Sequence, residues 1–483
     1  MHAQDAPYFT VRRVLLISID GLHSVDLANF IHSHPNSALA QLSSTGLTYT
    51  QAFTSRPSNS FPGLLALVTG GSPASTGVWY EGAYARSLSP AGSNCKTVGT
   101  EVSWDGSVDW NKKQLDAGGG INPAKLPLDP AKGCTPVYPH SFLRVNTIFE
   151  AAHFAGLRTS WIDKHPSYEM VSGPSGMGLD DMFMPEIGAA ARDVKGQETY
   201  DDLKVEALIN QINGQDHSGK TAAGVPALFG MALQEFRFAQ VIPTGGYVDG
   251  KGTPSAPLLD ALEHADQSVG KVVTALKARG LLDSTLIIIS AKHGQAAMDP
   301  SKLRIVDDAL IPGLVNKLQS GLVALAYADG DLMSIWLTDQ TQTEKVGELL
   351  TQPANQSTAG IQQVLWGNSL RLLTNDPAHD GRIPDLLVIP NLGVVYSPAG
   401  DKSIAGHGGV SDDDTHVALL VSNPGLKPKM IRTPVQTAQV APSILQALGI
   451  PPETLQAVAK EGTPVLPGLF AGERSLLRQL RPE

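Results

Sequence analysis

Apolar positions along the chain follow two rhythms. Residues 11–19 (VRRVLLISI) form an almost continuous β-branched run, the pattern of a strand buried on both faces, and the run stops at Asp20-Gly21. Residues 285–290 (TLIIIS) and 416–422 (HVALLVS) repeat that pattern, and shorter runs at 46–53 and 158–163 predict two more strands. Elsewhere the spacing is helical. Across 257–279 the apolar residues Leu258, Leu259, Leu262, Ala265, Val269, Val272, Val273 and Leu276 recur three or four apart. Helical character is also read at 61–68, 142–155, 201–212 and 433–448. Strands alternating with helices predict an α/β fold, with a large mainly parallel sheet and helices on both faces.

Two stretches break this alternation. Residues 80–140 are rich in Gly, Pro, Asp and Trp with little periodicity, too long for an ordinary connection, and are expected to be an inserted cap or lid. Residues 301–400 read as a second, mixed α/β segment packed on the core, with strands near 322–326, 332–337 and 385–389. The core is then assembled from 1–79, 141–300 and 401–483.

Composition narrows the class. In 483 residues, 17% are charged and 6% aromatic, with 48 Gly and 34 Pro, the make-up of a compact, loop-rich globular chain. A net charge of −10 without a Lys/Arg cluster argues against a nucleic-acid polymer as partner. An acidic protein that binds phosphate must build its positive potential locally. No apolar run approaches the roughly 20 residues of a membrane span. The polar start, Met1 to Pro7, reads as a chain whose signal peptide has been removed, which predicts a periplasmic or secreted protein. Cys95 and Cys134 are either a disulfide closing one loop, as suits an exported protein, or two unpaired thiols.

In an open α/β sheet, ligands bind beyond the carboxyl ends of the strands. Asp20 and His293 directly follow predicted strands, Ser60 sits where a loop turns into a helix, and His407 lies in the Gly-rich loop before the run at 416. The surrounding motifs are ISIDGL at 17–22, PSNSFP at 57–62, VTGGSPASTG at 68–77, SAKHG at 290–294 and GHGG at 406–409. In this order the pattern resembles the alkaline phosphatase superfamily, and within it the type I phosphodiesterase/nucleotide pyrophosphatase branch. The resemblance implies an alkaline-phosphatase-like core and a metal-dependent hydrolase of small-molecule phosphoric esters. It implies Ser60 as nucleophile and metal ligand, through a phosphoseryl intermediate, with Asp20, His293 and His407 as further ligands of one or two divalent ions, zinc in type. Such ions activate a hydroxyl and clamp the oxygens of an in-line displacement.

The pattern departs from the family in two places. Lys292 stands where relatives carry an Asp ligand; an ammonium cannot ligate a cation but can replace one, pairing with Asp20 or with a phosphate oxygen. The family's Asp-x-x-x-His pair is also missing from its usual place. Asp260 and His264 have that spacing but read as a solvated helix face, leaving Gln234, Gln240 and Asp249 as weak substitutes. Trp79, Tyr80 and Glu81 are candidates to complete the pocket or, for the two aromatics, to pack in the core. Alternatives within the same chemistry are a phosphomonoesterase, a phosphonate hydrolase or a sulfatase, although the Arg of the sulfatase motif is absent after Ser60-Phe61-Pro62. A catalytically weak binding protein that has lost its metals is the alternative from another class.

Overall fold

The computed structural model describes residues 10–470. The expectation that Met1 to Pro7 follow a removed signal peptide lies outside the described residues. At the centre is an eight-stranded sheet. In chain order its strands are β1 Arg13–Ile19, β2 Gly46–Tyr49, β3 Ser160–Ile162, β4 Asp181–Phe183, β5 Leu228–Leu233, β6 Thr285–Ser290, β7 Leu419–Ser422 and β8 Lys429–Ile431. Their spatial order is β8-β2-β7-β6-β1-β5-β3-β4, and only β7 runs against its neighbours. The fold is thus the expected α/β core with a mainly parallel sheet.

The continuous apolar runs are explained by burial on two faces. Val14 and Leu16 of β1 join a cluster with Phe61, Leu64 and Ile444, while Leu15, Ile17 and Ile19 join a second cluster with Leu262, Val269 and Phe236. Each fully buried aliphatic side chain of this kind stabilises the fold by about 1.5–3 kcal/mol. The helix read at 257–279 is Ala256–Ala278, and its apolar stripe lies against the second cluster.

Several elements differ from the sequence reading, and the helices expected over 142–155 and 433–448 are the shorter Ile148–Phe154 and Val440–Ala447. The strand expected over 46–53 is split into Gly46–Tyr49 and Ala52–Phe53, and the run 416–422 into His416–Val417 and Leu419–Ser422. The paired short pieces Ala52–Phe53 and His416–Val417 form a separate small sheet. Leu228–Leu233, beside β1, carries no alternation and contains Gly230, so its pattern does not announce a strand. Glycine is required there: a Cβ would stand 2.0 Å from the Leu16 carbonyl oxygen and 2.7 Å from the Trp161 ring.

Residues 80–140 form a hairpin, Gly82–Ala85 with Thr100–Ser103, and a short pair, Leu128–Asp129 with Thr135–Pro136. A Cys95–Cys134 disulfide closes this stretch. Its Trp104, Val108 and Leu126 are buried in the same cluster as Val14. The later segment carries a four-stranded antiparallel sheet ordered Val323–Ala328, Met333–Leu337, Leu386–Pro390, Ile361–Trp366. One face has its own core around Ile335, Val346 and Val388. The other packs Leu332, Trp336 and Leu387 on Trp79 and Tyr80, which brings the end of the strand Val323–Ala328 to the Ser60 helix. Among the described residues no helix is long and apolar enough to cross a membrane.

Candidate active site

Four neighbouring parallel strands end at one place. β6 delivers Lys292 and His293, β1 delivers Asp20, β5 delivers Gln234, and β3 delivers Asp163 and Lys164. Above them the helix Ser60–Thr69 begins, capped by the Asn59 side chain. This helix lies against the backbone of β6: a Cβ on Gly63 would stand 1.8 Å from the Lys292 carbonyl oxygen, so only glycine fits. Thr54 Oγ1 donates to the same carbonyl at 2.6 Å, and Ser18 Oγ accepts from the Lys292 N–H at 3.1 Å while donating to Asp20 Oδ1 at 2.8 Å.

The structure brings together Asp20, Ser60, Lys292, His293 and His407, all buried. His407 Nε2 lies 3.4 Å from Ser60 Oγ and 3.4 Å from Asp329 Oδ2, and its ring stacks on His293 with centroids 3.8 Å apart. Lys292 Nζ donates to both oxygens of Asp163, at 2.9 and 3.1 Å, and lies 3.3 Å from Asp20 Oδ2. Gln234 Nε2 donates to that same Asp20 oxygen at 2.7 Å. Two residues outside the sequence motifs complete the group. Lys164 Nζ donates to Ser60 Oγ at 3.1 Å and stands 3.9 Å from Asp20 Oδ2. Tyr168 lies beneath both ammonium groups, its ring centroid 4.5 Å from Lys292 Nζ and 5.7 Å from Lys164 Nζ.

The charges hold one another in place. Burial alone would raise the Asp20 carboxyl, but Lys292 and then Lys164 hold it well below the usual carboxylate range. Burial opposes the Lys292 ammonium, yet Asp163 and Asp20 outweigh it and keep the group charged. Lys164 is shifted down, by burial first and by Lys292 second. Burial, reinforced by His293 and Arg237, keeps the His407 imidazole neutral. Asp329 is pushed up to about 7 by burial and by the Glu81 carboxylate.

The other candidates resolve differently. Trp79 and Tyr80 are buried and donate to Ser334 Oγ and the Gly408 carbonyl, so they pack in the core; Glu81, half-buried, is held by its N–H to Asn59 Oδ1. Gln240 Nε2 donates to the Gly21 carbonyl and to Tyr247, behind the site, and Asp249 closes a local turn with Lys251 and Thr253. Asp260 is exposed, whereas His264 is partly enclosed between Asp202 and Glu235, each at 3.5 Å.

A divalent cation does not fit this donor set. Among the described residues no group of three or more His, Cys, Asp or Glu is arranged to hold one. Any ion on Asp20 Oδ2 would share that oxygen with Gln234 and Lys292 and face Lys164 as well. Two unit charges ~4 Å apart repel by ~4 kcal/mol at an effective dielectric of ~20, and a dication doubles the figure. The expected ligands Asp20, Ser60, His293 and His407 are neighbours, but ammonium groups border two of them, Lys292 and Lys164 at Asp20 and Lys164 at Ser60.

With this geometry in hand, the comparisons can be placed. A family model, type I phosphodiesterase / nucleotide pyrophosphatase, matches residues 14–411. No curated protein matches the chain in sequence. Among solved structures, an inactive mutant of murine ectonucleotide pyrophosphatase/phosphodiesterase 5 in complex with AMP superposes with a TM-score of 0.60 at 13% identity, covering 91% of this chain and 95% of that one. The human counterpart gives 0.58 at 13% identity with the same coverage. A mutant of the alkaline phosphatase PafA gives 0.57 at 12% identity, covering 93% and 97%. At such identities the likeness shows the fold.

Proposed function

This chain belongs to the type I phosphodiesterase / nucleotide pyrophosphatase family, a family of phosphoric ester hydrolases, and on that footing we propose that Ser60 is the nucleophile of a phosphodiesterase or nucleotide pyrophosphatase acting on small-molecule phosphate esters. The observation that carries the reading is the surroundings of Ser60 Oγ: a helix N-terminus, Lys164 Nζ at 3.1 Å and His407 Nε2 at 3.4 Å. A serine hydroxyl attacks near neutral pH only when a neighbouring group activates it. His407, neutral and aimed at Oγ, takes the proton as Oγ bonds to phosphorus and the bond from phosphorus to the leaving group breaks. Lys164 and the first turn of the Ser60 helix meet the charge on the non-bridging oxygens. His407 passes that proton to the departing oxygen; water then cleaves the Oγ–P bond, its hydroxyl staying on the phosphate product and its other proton returning to Ser60. No step here is routed through a metal ion, because the donors do not fit one.

The AMP held by the inactive murine relative supports an ester of nucleotide size. The disulfide supports a periplasmic or secreted location. The test is hydrolysis of bis-p-nitrophenyl phosphate, with mass spectrometry of the quenched reaction for phosphate on the peptide bearing Ser60. Turnover with a phosphorylated Ser60 supports the proposal; turnover that survives Ser60→Ala refutes it. A second reading, a phosphate-binding protein without turnover, draws on Lys292 standing in the ligand position. It predicts that the ligand binds and that the quenched protein carries no phosphate.

A further inference from the structure

Building on the reading of Ser60 as the phosphate site, we infer that the chain binds its phosphate ester without any divalent ion, Lys292 pairing with Asp20 and Asp163 while Lys164 receives the anion. Lys292 has no capacity for a ligand: it is fully buried, pairs with both carboxylates and lies against Tyr168. Its ammonium sits between the two carboxylates, 2.9 Å from Asp163 Oδ1 and 3.3 Å from Asp20 Oδ2.

What remains free around Ser60 is rich in donors. Lys164 Nζ hydrogen-bonds to Ser60 Oγ, lies 3.9 Å from Asp20, which is also paired with Lys292, and stands 5.7 Å from the Tyr168 ring centroid. The Phe61 N–H has only a long contact, 3.4 Å to Asn59 Oδ1. The Tyr168 hydroxyl is buried without a full hydrogen bond and faces Ser60. One cation, a buried hydroxyl and the start of a helix lie around Ser60. A tetrahedral phosphate oxyanion satisfies all of them, whereas a dication would add charge to charge.

The test reads binding and metal content, so it is independent of turnover. Purified full-length protein is incubated with excess zinc, desalted and analysed for metal, and inorganic phosphate is titrated with and without EDTA by calorimetry and thermal shift. Substoichiometric zinc and equal phosphate affinity in both conditions are expected. Lys164→Met, which keeps the apolar stem, should weaken phosphate at least about tenfold; Lys164→Gln provides a second variant should the first fold poorly. One zinc retained per chain, phosphate bound only after zinc is added, or no phosphate bound in either condition overturns the inference. A protein that binds phosphate in EDTA but hydrolyses no ester would sink the hydrolase reading and leave this one standing.

Discussion

Lys204 and Lys292 are both fully buried, each is paired with aspartate, and both belong to the carboxyl-end layer of one sheet. Lys204 is enclosed by structure: it pairs with Asp201 at 2.6 Å and donates to the Ala232 carbonyl, while Asp201 accepts the N–H groups of Gln234 and Glu235. That cluster fixes the turn that aims Gln234 at Asp20. Lys292 pairs with two carboxylates and borders Ser60, His293 and Lys164, where polar atoms remain unspent. The lesson is that a buried ion pair is a scaffold when it ties backbone groups together, and part of a site when it borders a reactive hydroxyl.

The sharpest break between the two clusters comes from the hydroxyl that only one of them serves. Ser60→Ala should lower kcat by at least about 10³-fold with phosphate affinity nearly kept, as steady-state rates and calorimetry will show. Next come the lysines. Lys292→Met and Lys204→Met each strand buried carboxylates, and denaturant unfolding should register a loss of about 3–5 kcal/mol in both. Only Lys292→Met should also abolish phosphate binding by the fraction that stays folded; equal binding by the two variants would dissolve the distinction.

Two features remote from both clusters set the background. Reducing the Cys95–Cys134 bridge, which spans 39 positions, should cost about 4 kcal/mol on a chain-entropy argument and leave the kinetics of folded protein unchanged. Asp109, beside Glu186, is pushed up to about 8, by burial first and by the neighbouring carboxylate second. Its folded value lies above the unfolded one of about 3.9, so its contribution to stability is complete below that pH and is lost as pH rises through about 8. Melting temperature should therefore fall between pH 5 and 9, and Asp109→Asn should flatten the slope. The smallest effect belongs to Asp260→Ala on the exposed helix face, expected within about 0.5 kcal/mol of wild type with unchanged activity.

Much of this is legible in the sequence, and for identifiable reasons. β1 and β6 announce themselves because strands buried on both faces are apolar throughout, and their ends point to Asp20, Lys292 and His293. The same strand-end rule reaches Asp163 and Lys164 after Ser160–Ile162, a usable signal that no family motif draws out. Gln234 is harder: β5 is made of Leu, Phe, Gly, Met and Ala, and its identity as a strand rests on pairing with β1. Asp329 has no local signature at all, since a separate sheet brings it to the site by packing on Trp79 and Tyr80. The metal expectation rests on the motifs, whereas the misfit comes from Lys292 within them and from Gln234 and Lys164 outside them.

The central claim is that Ser60 does phosphoryl chemistry with cations supplied by the chain itself. The most direct measurement is the rate of bis-p-nitrophenyl phosphate hydrolysis by metal-analysed protein in EDTA, beside Ser60→Ala under the same conditions. The account predicts turnover in EDTA equal to that in buffer alone and none above background in the variant. A wild-type rate that matches Ser60→Ala in EDTA and recovers on adding zinc would contradict it.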